Sequence, residues 1–128
     1  MKNSKQTKAF GPYSPIRQVG DIFFTAGQVG VNFDDKKADP DVRAQTEKAL
    51  DNLEDTLASV NLTLDNVFKT TLFLTNMDDS GAVNEVYLKR FSGPLPARST
   101  VAVKELPRIA VNCPLKIEIE AIAERKPK

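Results

Sequence analysis

Near its end the chain reads Leu115-Lys-Ile-Glu-Ile-Glu-Ala-Ile-Ala123, alternating apolar and polar residues over most of that length. A period of two sends successive side chains to opposite faces and predicts a β-strand. Val67-Phe-Lys-Thr-Thr-Leu-Phe-Leu74 is rich in β-branched and aromatic residues and predicts a strand that is largely buried. Asp21 to Gly27 and Ala97 to Lys104 predict two more. The spacing changes in between, where Val42, Ala49, Leu50, Leu53, Leu57 and Val60 recur at helical intervals with Glu47, Lys48, Asp51, Glu54 and Asp55 among them. Asp39-Pro40 predicts an N-cap at Asp39 with proline at the first helical position, and Asn61 with Asp65-Asn66 marks the end. A second helix is expected from Asp78-Asp79-Ser80-Gly81, with Val83, Val86, Tyr87 and Phe91 on its buried face, stopping at Gly93-Pro-Leu-Pro96.

Strands, helix, strand, helix and two further strands in one short chain predict an α+β two-layer sandwich with both helices on one face of a sheet. A single domain over 1–128 is expected, with polar tails at about 1–8 and 125–128. The face away from the helices is unusual. Ile122 shares a side of its strand with Lys116, Glu118 and Glu120, and Arg98, Thr100 and Ala102 share a side of theirs. Apolar residues among charges predict a half-buried surface, as at a subunit interface.

Composition then narrows the chemistry. The 128 residues carry 18 Lys+Arg against 17 Asp+Glu, a net charge of +1, which argues against a dedicated polyanion binder. With no histidine, Ser-His-Asp and Cys-His catalysis and His-ligated zinc are excluded. The single cysteine, Cys113, permits no internal disulfide and no Cys-rich metal site. No metal and no cofactor is expected, and neither a P-loop nor a dinucleotide fingerprint is present. Residues 1–8 lack an apolar core of the secretory type, and no run approaches the roughly 20 apolar residues of a membrane span, so a cytosolic protein is expected.

The residues left for chemistry are Arg98, the pair Glu118 and Glu120, Tyr13, Asn84, Ser99, Thr100 and Cys113. An arginine at a strand start suits a forked pair of hydrogen bonds to a carboxylate; equally, Arg98 could form a salt bridge to Glu118 or Glu120 on a neighbouring strand. The two glutamates read as a general base with its support, or as the wet side of an antiparallel strand. Tyr13, in the rigid turn Gly11-Pro-Tyr-Ser-Pro15, could sit over a pocket or pack on the domain edge. Asn84 has either a local bond or a partner across a cleft. Gly27, closing a strand, marks a bulge or a close approach. Cys113 has no cationic neighbour in sequence and reads as incidental.

Gly11-Pro-Tyr-Ser-Pro15, Ala26-Gly-Gln28, Gln45-Thr46 through Ala49-Leu-Asp-Asn-Leu53, Lys69-Thr-Thr71, Val83-Asn-Glu-Val-Tyr87, Pro96-Ala-Arg-Ser99 and Ile117-Glu-Ile-Glu-Ala-Ile-Ala123 together resemble the RidA/YjgF/UK114 family, in order and over nearly the whole chain. The resemblance implies a chorismate-mutase-like fold and a homotrimer. Its sheets would form a barrel-like core, with helices outside and ligand clefts between subunits. It also implies hydrolysis of reactive 2-enamine/2-imine intermediates, chiefly 2-aminoacrylate, to 2-keto acids and ammonia. Carried over by position, Arg98 would hold the substrate carboxylate and Glu118 would orient or deprotonate the attacking water. Tyr13 and Asn84 would line the cleft, and the backbone around Gly27 and Thr100 would touch the ligand. Arg98 would also help keep Glu118 ionised.

The chain departs from the family pattern at Ala26, where many members have serine, and at Thr100, where cysteine is common. The connection from Arg108 to Pro114 reads as longer than in familiar bacterial members. Two other readings stay open. One is an endoribonuclease or translation inhibitor acting on single-stranded RNA, which the absence of histidine, a basic stripe and an aromatic platform disfavours. The other is a non-catalytic small-acid-binding or chaperone-like module.

Overall fold

The computed structural model describes residues 9–126, so the expected tail at 1–8 lies outside the described residues. Strands β1 (Ile16–Val19), β2 (Ile22–Thr25) and β3 (Gln28–Val29) precede helix α1 (Val42–Ala58). Then come β4 (Val67–Leu74), helix α2 (Ser80–Arg90), β5 (Ala97–Ala102) and β6 (Ile117–Glu124). The sheet runs β1-β2-β6-β4-β5, with β3 pairing the other part of β6. Among the described residues only β4 and β5 pair in parallel. A parallel pair needs a crossover, and α2 supplies it.

The alternation in β6 translates directly into burial. Ile117, Ile119, Ala121 and Ala123 are buried, while Glu118, Glu120 and Ile122 are only partly covered. The inward set meets Leu72 and Leu74 of β4, Leu50, Leu53 and Leu57 of α1, and Val83, Val86 and Tyr87 of α2 in one continuous core. Each buried Leu, Ile or Val contributes about 1.5–3 kcal/mol relative to exposure. Both helices therefore cover one face. A smaller cluster forms where Val29, Val31, Ala38, Leu106 and Leu115 meet, joined by Phe73, Val103 and Cys113.

Helix α1 begins two residues later than the sequence predicts. Asp39 Oδ1 accepts the Asp41 N–H at 2.8 Å in a turn around Pro40, and Asp41 itself caps the helix, accepting from Ala44 N at 3.0 Å. The chain leaves α1 through Asn61, whose φ of 64° lies in the left-handed region that asparagine tolerates. β4 and the buried face of α2 match expectation, whereas the short strands β1 and β3 carry too little pattern to be read. The polar tail starts later than 125: Arg125 donates to Val60 O at 2.9 Å and lies over the Phe23 ring at 4.9 Å.

The sheet order corrects one expectation that bears on function. β4 stands between β5 and β6, so Arg98 and Glu118 are not on neighbouring strands. Arg98 lies beside Thr70, which lies beside Ala121, all on the helix-covered face. Glu118 lies beside Phe73 and Val29 on the opposite face. With strands about 4.8 Å apart and about 3.3 Å per residue, their backbones are separated by roughly 14 Å. The shared Arg98/Glu118 face and the salt bridge between them do not exist within one protomer.

Candidate functional site

Pro96-Ala97 leads into β5, the strand at the edge of the sheet, and places Arg98 one residue inside it. On the helix-covered face, at the margin of the core, the guanidinium is half-buried and thoroughly held. Nε donates to Thr100 Oγ1 at 2.9 Å, two residues along the same strand face. Nη2 donates to Asn84 Oδ1 on α2 at 2.6 Å. Its carbon lies 4.9 Å from the centroid of the Tyr87 ring, one helical turn from Asn84. Tyr87 in turn shares a 2.8 Å hydrogen bond with Thr70, and both are buried. Burial raises the Tyr87 phenol above its ordinary value, against smaller opposing effects of the Thr70 bond and the Arg98 charge, so it stays protonated at neutral pH.

A guanidinium has five N–H donors, and two of those on Arg98 are committed. Three are left without a partner among the described residues, and Arg98 lines a recess of about 350 Å³ together with Asn84, Tyr87, Leu88, Leu95 and Pro96. Leu88 and Leu95 are 62% and 55% exposed, so the recess has an apolar rim and lies open on one side. A larger recess of about 450 Å³ lies between the 104–108 and 110–115 segments. Its one cysteine donates from Sγ to Ala38 O at 3.4 Å. Its lining also carries Thr75, Lys104, Glu105 and Arg108, and Arg108 Nε donates to Glu105 at 3.0 Å.

Glu118 forms a second centre. Its carboxylate lies against Gly27, occupying the space a Cβ at that position would need. Burial, and then the negative charge of Glu120 on the same strand face, raise the Glu118 carboxyl above the ordinary carboxylate value. Arg98 does not act on it within the protomer, so the expected lowering by that arginine is absent here.

Of the residues expected at a site, the fold gathers Arg98, Asn84 and Thr100 into one centre and Glu118 with Gly27 into another. Thr100 takes part through its hydroxyl, a role the sequence did not assign. Tyr13 is 48% exposed in its turn, and its side chain makes no hydrogen bond among the described residues. Ser99 faces the other side of β5, where it accepts from Lys69 Nζ at 3.1 Å. Tyr87 and Thr70 were missed as parts of the site. A tyrosine and a threonine at core-facing positions of adjacent elements carried the signal, because buried hydroxyls need partners. Among the described residues no group of three or more Asp, Glu or Cys side chains is placed to hold a metal ion, and no helix is long and apolar enough to cross a membrane.

The family model described as endoribonuclease L-PSP matches residues 3–125. The chain is 38% identical to the 2-iminobutanoate/2-iminopropanoate deaminase of Mus musculus, over 99% of this chain and 91% of the mouse protein. It is 42% identical to the protein DfrA of Myxococcus xanthus, over 91% of this chain and 87% of that one. Among solved structures, the yjgF gene product of E. coli superposes with a TM-score of 0.86 at 34% identity, covering 98% of this chain and 97% of that one. E. coli TdcF with bound serine gives 0.86 at 32% identity, covering 98% of each. With the motifs in register along its length and the sheet and helices superposing throughout, the chain belongs to the RidA/YjgF/UK114 family, the endoribonuclease L-PSP group.

Proposed function

We propose that this protein hydrolyses small 2-imino acids and their 2-enamine tautomers, such as 2-aminoacrylate, to 2-keto acids and ammonia. The observation that carries the reading is the Arg98 guanidinium, half-buried, held from two sides and lining an open recess, with three N–H donors left uncommitted among the described residues. A planar, bidentate donor pair suits a carboxylate, and the rim accepts the small remainder of the molecule. The deaminase relative from mouse supports the same chemistry.

The active unit is a homotrimer in which Arg98 of one copy meets Glu118 of the next, with Tyr13 and Gly27 of that next copy lining the cleft. The physical argument is the opposition of faces: one protomer cannot bring its own guanidinium and its own Glu118 to one ligand. Edge strand β5 exposes the Arg98 recess for a neighbour to close.

In the reaction, Arg98 binds the substrate carboxylate and so fixes the C=N carbon. Glu118 accepts a proton from one water as its oxygen adds to that carbon, and the imine nitrogen takes up a proton. That proton comes from Glu118; the carbinolamine's hydroxyl proton then passes through Glu118 to the amino group, which leaves as ammonia as the carbonyl of the 2-keto acid forms. The imine carbon is already electrophilic, so positioning and one carboxylate beside one water suffice. The cytosol is the proposed compartment, although relatives include two fission-yeast proteins named as mitochondrial.

The test is a coupled assay in which a dehydratase generates 2-aminoacrylate and pyruvate release is followed for wild type and Arg98→Lys. The lysine keeps the charge and loses the fork, and release should fall to near the uncatalysed rate. Unchanged release would remove Arg98 from the reaction. RNA cleavage that survives the substitution would favour the endoribonuclease reading that the family description carries.

A further inference from the structure

We infer that Tyr87 is a positioning residue for the proposed carboxylate-binding fork, aligning the plane of the Arg98 guanidinium through a closed ring of three contacts. The inference rests on the reading of Arg98 given above. Thr70 and Arg98 are direct partners in the parallel pairing of β4 with β5. The Thr70 hydroxyl shares a 2.8 Å hydrogen bond with the Tyr87 phenol. The Tyr87 ring lies 4.9 Å beneath the guanidinium carbon of Arg98. The circuit thus runs from strand to strand, from strand to helix, and from helix back to the arginine.

The three groups that fix the fork differ in rigidity. Asn84 is exposed on the surface of α2, and Thr100 is only partly covered. Tyr87 is 4% exposed, Thr70 is 0% exposed, and the tyrosine packs against Phe91 with ring centroids 4.6 Å apart. A buried ring pinned at its hydroxyl end is a fixed plane, and guanidinium groups stack on aromatic faces. Asn84 and Thr100 hold two donors at the fork's edge; Tyr87 sets the plane in which the other three point. A carboxylate needs two of those donors coplanar with it, so tilt of the guanidinium weakens binding without touching the water or Glu118.

Tyr87 therefore governs KM and pyruvate affinity, not the chemical step. The experiment compares wild type, Tyr87→Leu, Tyr87→Phe, Val86→Ala and Arg98→Lys in the same coupled assay. Pyruvate titration by calorimetry and thermal melts accompany it. Tyr87→Leu, which loses the aromatic face, should raise KM and the pyruvate Kd about tenfold with kcat within about twofold. Tyr87→Phe keeps the aromatic face but loses the Thr70 bond that pins it, and should raise KM and Kd by a smaller factor, about two- to fivefold. Val86→Ala thins the same helix contact without reaching Arg98 and should lower the melting temperature while leaving KM and Kd in place.

Equal KM for Tyr87→Leu and wild type would overturn the inference, as would an equal rise in Val86→Ala. If Tyr87→Leu does not fold, Tyr87→Phe decides: it breaks the Thr70 contact of the ring, so a KM and Kd equal to wild type would overturn the inference, whereas a rise at unchanged kcat supports it. Arg98→Lys separates the two levels. A loss there beside an unaffected Tyr87→Leu sinks only the role of Tyr87, whereas no loss in Arg98→Lys removes the reading of the fork and the platform with it.

Discussion

The carboxylate of Glu118 fills the space above Gly27 that any other residue would claim with its Cβ. The glycine is needed for close approach, since its backbone is not in the left-handed region. Gly27→Ala would push Glu118 out of place while leaving the core unaltered. We expect kcat to fall by about tenfold or more, as misplaced catalytic groups commonly cost, with little change in melting temperature. Steady-state kinetics and a thermal melt on the same preparation check both halves.

Opposed faces make a complementation test of the proposed homotrimer available. Arg98→Lys and Glu118→Gln homotrimers should each be inactive. In trimers reassembled from equal amounts of the two, a cleft drawing Arg98 from one variant and Glu118 from the other is intact. About a quarter of clefts meet that condition under random mixing of a cyclic assembly. Pyruvate release should return to about a quarter of the wild-type rate after joint refolding, and stay near zero if both residues serve within one protomer.

The fork itself sets the size of the binding loss. A charge-assisted hydrogen bond is worth about 1.5–3 kcal/mol, roughly a 10- to 150-fold change in affinity. Removing only the acceptor of Nε by Thr100→Val should cost less, raising KM a few-fold, while Thr100→Ser keeps the 2.9 Å bond and the affinity. Pyruvate titration distinguishes the three proteins.

The pH dependence follows from the cause of the Glu118 shift. Burial and then the Glu120 charge raise its carboxyl within the protomer, and in the proposed trimer Arg98 of the neighbouring copy opposes them, so the position of the acid limb of kcat/KM reports the balance. Glu120→Gln removes a like charge, makes Glu118 easier to ionise, and should move that limb to lower pH. A limb that moves upward, or does not move, would show that Glu120 is not coupled to the base.

Arg90, at the end of α2, donates to Glu47, Asp51 and Glu54 of α1 at 2.7, 2.8 and 3.0 Å. Its side chain is 18% exposed, whereas its three partners are about half exposed, so solvent screening discounts each pair. Arg90→Met would leave three like charges on one stripe of α1. We expect about 1 kcal/mol of lost stability, a few degrees in melting temperature, part of it recovered in high salt. Differential scanning calorimetry at two ionic strengths is the measurement.

Most elements were legible because their periodicity is local. β6 alternates, α1 repeats at helical spacing, and β4 is a dense run of β-formers. The start of α1 was misplaced because Asp39 and Asp41 both present cap chemistry around Pro40, and only the folded turn shows which carboxylate reaches the helix. For the site, residue types put forward Arg98, Glu118, Glu120, Tyr13, Asn84, Ser99, Thr100 and Cys113, and of these the fold hydrogen-bonds Arg98, Asn84 and Thr100 together. The link from Tyr87 to Thr70 was invisible, since each looked like an ordinary core-facing position.

What the sequence determined by itself was which side chains share a face within each strand or helix, together with the family to which those motifs belong. What only the tertiary structure decided was how the faces of different strands line up. That depends on strand order and hydrogen-bond register between distant segments, and shifting the register by one residue would exchange the faces. The insertion of β4 between β5 and β6 put Arg98 against the helices and Glu118 on the far side. A single protomer therefore keeps these two side chains apart, which is why the proposed cleft needs a second copy.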